Sequence, residues 1–130
     1  MLVAMTLRCV IVDDNPAVLR AASDLLEGQG LTVVGVAATC EAALALRDEQ
    51  DPDVMLVDID LGEESGFELA RRLVERADPP RSRTILISTH DEADFADLIA
   101  ASPAAGFLAK SELSATAIRE LLASAGEGRY

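Results

Sequence analysis

Aromatic residues make up only 3% of the chain, with no tryptophan, one tyrosine and three phenylalanines, so any core must be built from Val, Leu, Ile and Ala. The material suffices, because 50% of the 130 residues are hydrophobic and a chain of this size buries roughly two-thirds of its unfolded surface as one domain. Cations are scarce as well: 11 Lys and Arg face 23 Asp and Glu, a net charge of −12. A reader of the phosphate backbone wants the opposite sign, which argues against direct nucleic-acid binding by this segment. The two cysteines, Cys9 and Cys40, stand in no CxxC or ligand-like spacing and read as free buried thiols of a reducing cytoplasm. No apolar run approaches a membrane span. The apolar opening "MLVAMTLRCVIV" lacks the basic leader and small-residue cleavage site of a signal peptide. A cytoplasmic protein with no membrane contact is the expectation. Met5 also suits a start, which would make the first residues a frayed tail.

Against these shortages stand five short aliphatic runs: "RCVIV" (8–12), "TVVGVA" (32–37), "DVMLV" (53–57), "TILIS" (84–88) and "GFLA" (106–109). Several are continuous rather than alternating, as strands covered on both faces are. Helical periodicity fills the gaps. Val18, Ala22, Leu25 and Leu26 share a face, as do Phe67, Ala70, Leu73, Val74 and Ala77, and Ile118, Leu121, Leu122 and Ala125. Weaker helical patterns cover residues 39–48 and 91–101. Asn15-Pro16 reads as a cap and first helical residue, Gly28 and Gly30 as the end of that helix, and Pro79-Pro80 as a break before the fourth strand. The alternation predicts an α/β doubly wound parallel sheet, whose ligands sit at the carboxyl ends of the strands.

The residues following the strands are Asp13-Asp14, Asp58, Ser88 and Lys110. Three crowded carboxylates repel one another and need a hard divalent cation to coexist ionised, and Mg2+ suits them. Singly, each has a plainer explanation: a helix cap, a strand-end hydroxyl, a solvated lysine. Their order and spacing together make coincidence a poor account.

The motifs "VIVDDNP", "DVMLVDIDLGEESG", "ILISTHDE" and "GFLAKSE" resemble the receiver (CheY-like) domain of two-component response regulators over about residues 7 to 125, most of all the NarL/FixJ group. The resemblance implies a flavodoxin-like fold of five parallel strands in the order 2-1-3-4-5 with five helices. Residues 1–6 would be a frayed N-terminus and 126–130 a tail or the start of a linker. It implies that Asp58 is the phosphoacceptor, that Mg2+ (or Mn2+) is held by Asp58, by Asp14 directly, by Asp13 through water and by the Asp60 backbone carbonyl. Ser88 matches the switch hydroxyl, Lys110 the phosphoryl-binding lysine and Phe107 the switch aromatic. Asp60 and His90 fall where the family tunes the lifetime of the acyl phosphate. Gly66 stands where the family turns into its third helix. The implied partner is a sensor histidine kinase, with a phosphorylation-driven homodimer and a C-terminal helix-turn-helix output domain as further family traits. Phe95, Leu98 and Ile99 could serve a dimer or simply pack on the core.

Two departures stand out. Leu61-Gly62 replaces the Met-Pro that commonly follows the acceptor, which should leave that loop looser. Pro103 occupies a position where glycine is common, so the turn there cannot be left-handed. Two other readings remain open: a pseudo-receiver that binds partners unphosphorylated, and a haloacid-dehalogenase-type phosphatase using the DxD of Asp58 and Asp60. The pseudo-receiver usually loses an acid or the lysine, and none is lost here. The phosphatase series usually opens with its DxD, whereas here Asp13-Asp14 comes first.

Overall fold

A computed structural model describes residues 6–76 and 82–127 of the chain. The expected frayed residues 1–5, Ala77, the Pro79-Pro80 break and the end of the tail at 128–130 lie outside the described residues. The main sheet has five parallel strands: β1 (Arg8–Val12), β2 (Thr32–Ala37), β3 (Val54–Asp58), β4 (Arg83–Ser88) and β5 (Gly106–Ala109). Their order is β2-β1-β3-β4-β5, as expected. Five helices connect or follow them: α1 (Pro16–Gly28), α2 (Cys40–Gln50), α3 (Gly66–Arg76), α4 (Ala96–Ala101) and α5 (Ala115–Glu127).

The continuous apolar runs are explained by the two faces of this sheet. Val10, Val12, Met55, Val57 and Leu86 face α2 and α3, meeting Ala43, Leu44, Leu69, Ala70 and Leu73. The intervening Cys9, Ile11, Val54, Leu56, Ile85 and Ile87 face α1 and α5, meeting Leu19, Ala22, Leu26, Ala115 and Ile118. A period of two along each strand thus feeds two cores. Both cysteines are buried free thiols. Among the described residues no helix is long and apolar enough to cross a membrane.

Local signals hold at the helix ends. Asn15 Oδ1 accepts from the backbone N–H of Ala17 at 2.9 Å and of Val18 at 3.4 Å, with Pro16 opening α1. After Gly28 the chain turns at Gly30, whose φ is +96°. Before Pro103 the last turn of α4 is closed by extended Ser102, whose hydroxyl donates to Ile99 O at 2.9 Å.

Two helix-face assignments change. In α1, Leu19 is buried while Leu25 is 42% exposed, because the apolar stripe runs through Leu19, Ala22 and Leu26. In α3, Val74 is likewise exposed, and Leu69 takes a place in the core. The α5 stripe holds: Ile118 is buried, and half-buried Leu121 and Leu122 pack against the same core. The segment Glu92–Phe95 forms a tight 3-10 turn before α4, and α4 contributes no buried residue at all.

Candidate functional site

Parallel register brings the strand ends to one rim. Val12 lies opposite Val57, Asp58 opposite Ile87, and Ser88 opposite Ala109. The residues just beyond β1 and β5, Asp13 and Lys110, therefore arrive beside Asp58, the last residue of β3. Lys110 Nζ lies 2.6 Å from Asp13 Oδ2 and donates a hydrogen bond to Asp58 Oδ2 at 3.0 Å.

Each carboxylate is held from its other side by backbone. Asp13 Oδ1 accepts from Asn15 N at 2.9 Å, and Asp58 Oδ1 accepts from Asp60 N at 3.1 Å. Asp13 is fully buried, Asp58 is 5% exposed, and Asp14 faces solvent. Asp13 Oδ2 is buried, and Lys110 Nζ is its close partner. Oxygens of Asp13, Asp14 and Asp58 lie within 4.8 Å of one another. Three hard oxygen donors so close, carrying more negative charge than one ammonium balances, fit a small divalent cation.

Charge and burial pull against each other here. Burial raises the Asp58 carboxyl above its ordinary value, and the Asp13 charge adds to this; the Asp60 N–H and Lys110 oppose it without cancelling it. For Lys110, burial works against the ammonium, but its bonds to Asp13 and Asp58 and their charges outweigh burial and raise its pKa. The rim is therefore anionic and costly when it holds nothing, a condition that favours binding a cation.

The remaining predicted residues take definite places. Ser88 is buried at 1% exposure, and its Oγ accepts from His90 N at 2.9 Å. Phe107 is already inside, 9% exposed and packed in the core that α2 and α3 cover. A switch in which this ring first has to turn inward does not describe the present conformation. His90 is exposed, and its ring stands edge-on to Phe95 at 5.7 Å; Phe95 in turn lies 6.2 Å from Phe67 of α3. Asp60 adds no carboxylate to the oxygen cluster.

Gly66 has a steric reason for being glycine. A Cβ there would stand 2.2 Å from the backbone oxygen of Asp58 and 2.7 Å from Ile59 Cα. The acceptor loop, expected to be loose, is instead a small hairpin: Asp60 pairs with Ser65 and Leu61 with Glu64. Buried Arg47 was also not foreseen. It is 5% exposed and donates to Leu73 O at 2.8 Å, joining α2 to α3.

A sheet of this order with an acidic trio and a lysine at its carboxyl rim defines a class, and comparison with known sequences agrees. Residues 9–123 match the family model of the response regulator receiver domain, and the chain belongs to that family. Receiver domains are the signalling domains of two-component systems, and the acidic cluster fits their phosphorylation site.

Within the family, the chain is similar to receivers of the NarL and LuxR kind. The signal receiver domain of the response regulator NarL from Mycobacterium tuberculosis is 31% identical with a TM-score of 0.79, covering 95% of this chain and 98% of that one. A LuxR-family two-component response regulator from Aurantimonas is 29% identical with a TM-score of 0.81, covering 92% of this chain and 87% of that one. Among curated proteins, the transcriptional activator protein ExaE of Pseudomonas putida is 34% identical over 119 residues, 88% of this chain and 54% of ExaE. The response regulator GacA of Pseudomonas aeruginosa is 30% identical over 121 residues, 90% of this chain and 56% of GacA. The chain thus spans about half the length of these curated relatives.

Proposed function

We propose that this domain is a phosphorylation switch: Asp58 accepts a phosphoryl group from the phosphohistidine of a sensor histidine kinase in a reaction that depends on Mg2+ or Mn2+. The observation that carries this is the single ammonium of Lys110 shared between Asp13 and Asp58 at 2.6 and 3.0 Å, beside three clustered carboxylate oxygens. A divalent cation, held by Asp13, Asp14, Asp58 and the Asp60 carbonyl, would supply charge that neutralises the incoming phosphoryl group.

The chain's own groups do the rest. An Asp58 oxygen attacks phosphorus in line, the phosphorus–nitrogen bond of the donor breaks, and its electron pair stays on the imidazole. The phosphoryl group carries roughly −1.5 to −2 charges at neutral pH, in place of the single charge of the Asp58 carboxylate. Lys110 then leaves the Asp58 carboxylate for phosphoryl oxygens, and the Ser88 hydroxyl, which accepts from His90 N, still has its own proton to donate. Asp60 and His90, both exposed, set how long the acyl phosphate survives.

Support for a readout at α4, β5 and α5 comes from how lightly α4 is held. None of its six residues is buried. It rests on Ile99 and, through the preceding turn, on Phe95. Ser88 is tied to the same loop through His90, so drawing Ser88 toward a phosphoryl group pulls on that turn. Phe107, already inward, follows rather than leads. Turning such an equilibrium from mostly off to mostly on takes about 5 kcal/mol, within reach of several charge-assisted hydrogen bonds and a cation. By analogy with the curated relatives, the output is transcriptional regulation through a C-terminal domain, with homodimer formation as one means.

The test is treatment with a small acyl phosphate and Mg2+, followed by mass spectrometry. A single phosphoryl adduct on Asp58, lost with chelator and in Asp58→Asn, is the expected result. No adduct under any donor would leave a pseudo-receiver as the better account.

A further inference from the structure

The segment Asp60–Ser65 lacks a proline, yet it is folded tightly. Its strands pair across the turn Gly62–Glu63, where Gly62 has a φ of +72°. Leu61 is buried at 4% exposure, and Gly66 N donates to Ile59 O at 3.0 Å. That bond sets the phase of the ladder. Bonded and non-bonded pairs alternate in an antiparallel ladder, so Asp60 and Ser65 form the non-bonded pair, and the Asp60 carbonyl stays free of the hairpin's own bonds.

A hairpin with strands of two residues is not stable by itself, and Glu64 supplies an outside tie. Glu64 Oε1 accepts from the backbone N of Cys40 at 3.0 Å, 24 residues away. Cys40 is the first residue of α2, where backbone N–H groups lack partners and a carboxylate is favoured. The far end of the hairpin meets the acids directly. A Cβ on Gly62 would stand 3.3 Å from Asp14 Oδ2, and Asp60 N holds Asp58 Oδ1 at 3.1 Å.

We infer that Glu64 is a positioning residue for the cation site, fixing the hairpin to α2 so that the Asp60 carbonyl and the Asp14 and Asp58 carboxylates are ordered before the cation arrives. The inference rests on the reading of Asp13, Asp14 and Asp58 as a Mg2+ site. Without the tie, the hairpin is ordered only as the cation binds, and the backbone entropy lost then weakens binding.

Mg2+ titration calorimetry on the wild type, Glu64→Ala, Glu64→Gln, Cys40→Pro and the double variant Glu64→Ala/Cys40→Pro tests it, with thermal unfolding in chelator confirming that each folds. Cys40→Pro removes the donor from the other side, and proline suits a first helical position. Glu64→Ala is expected to weaken Mg2+ binding roughly tenfold, as loss of one charge-assisted hydrogen bond would. Glu64→Gln, whose amide oxygen can accept the same bond, should return to within about twofold of wild type. Cys40→Pro should match Glu64→Ala, and the double variant should be no weaker than either, since both break one link. Equal affinity in wild type and Glu64→Ala overturns the inference, as do additive losses in the double variant or a Glu64→Gln as weak as Glu64→Ala. A wild type that binds no Mg2+ overturns the metal site itself and the inference with it.

Discussion

Replacing Gly66 with alanine tests how closely α3 is docked on Asp58. The added Cβ would lie 2.2 Å from Asp58 O, 2.7 Å from Ile59 Cα and 2.8 Å from Asp58 C. Ordinary contacts need about 3.5 Å, so the first turn of α3 must retreat by roughly 1 Å. No side chain can rotate away, because all three obstacles are backbone. The bond from Gly66 N to Ile59 O, now 3.0 Å, would be stretched by the same retreat. Overpacking costs typically 1–3 kcal/mol, and rigid obstacles place this case at about 3 kcal/mol. The better helix propensity of alanine returns little at a first helical position.

Gly35→Ala is the control. Its added Cβ would meet Leu46 Cδ2 at 2.8 Å and Cδ1 at 3.0 Å, both tips of a half-buried side chain that can turn. A cost of about 1 kcal/mol or less is expected there. Urea unfolding of both variants decides, read as a shift in midpoint at constant slope. Because the strained contact falls on Asp58 and Ile59, Gly66→Ala is also expected to reduce any stabilisation by Mg2+ seen in the wild type, while Gly35→Ala should keep it. Equal stabilities for the two variants would show that α3 is not held against the acceptor as the distances say.

Burial holds the Asp58 proton in the folded chain to higher pH than in the unfolded one, so stability from this group is present near its ordinary value of 3.8 and lost as pH rises through the folded value. Asp58→Asn should therefore stabilise the protein in chelator at neutral pH and flatten this fall; a melting temperature equal to or below wild type would refute it. Burial raises the Cys9 thiol to about 12 and the Cys40 thiol to about 11, Glu27 and Glu64 respectively adding to this, from an ordinary value of 9.0. Stability is unaffected by them below about pH 9 and falls between there and about pH 12; an aromatic disulfide reagent at mildly alkaline pH should find no native thiol until urea is added, and rapid native reaction would refute their burial.

What could be read in advance was what lies close in sequence to its own cause. β1, β2 and β5 were legible to the residue, because unbroken aliphatic runs have few other uses in a doubly wound sheet. The rim residues were legible because each ends such a run or stands just after one. The hairpin at 60–65 was not, since two-residue strands leave no periodicity, and its tie through Glu64 to Cys40 spans 24 residues. Arg47 was equally hidden: a single arginine on a polar-looking helix reads as solvated, yet it is 5% exposed because the end of α3 offers it the Leu73 carbonyl. In α1, Val18, Leu19, Leu25 and Leu26 allow two stripes about one residue apart, and only packing against β1 and β2 selects the one through Leu19.

Lys110 is the only lysine in the chain, the other cations all being arginine, and the chemistry of the rim explains why an ammonium stands there. Two carboxylates from different strands need one charge between them, reached from different directions. A compact ammonium with three rotatable donors meets both, whereas a planar guanidinium fork is built for a single carboxylate. Both contacts are short, 2.6 Å to Asp13 and 3.0 Å to Asp58. One positive charge against three carboxylates leaves the rim short by about two, the charge of one divalent cation. Phosphorylation would trade the single charge of Asp58 for roughly two, and an ammonium no longer needed by that carboxylate is the donor free to follow them. Lys110 is 18% exposed in its side chain and bonded to Asp58 at 3.0 Å, so it can follow the new oxygens without crossing the core. The feature that makes the resting site uncomfortable is therefore the one that lets it respond.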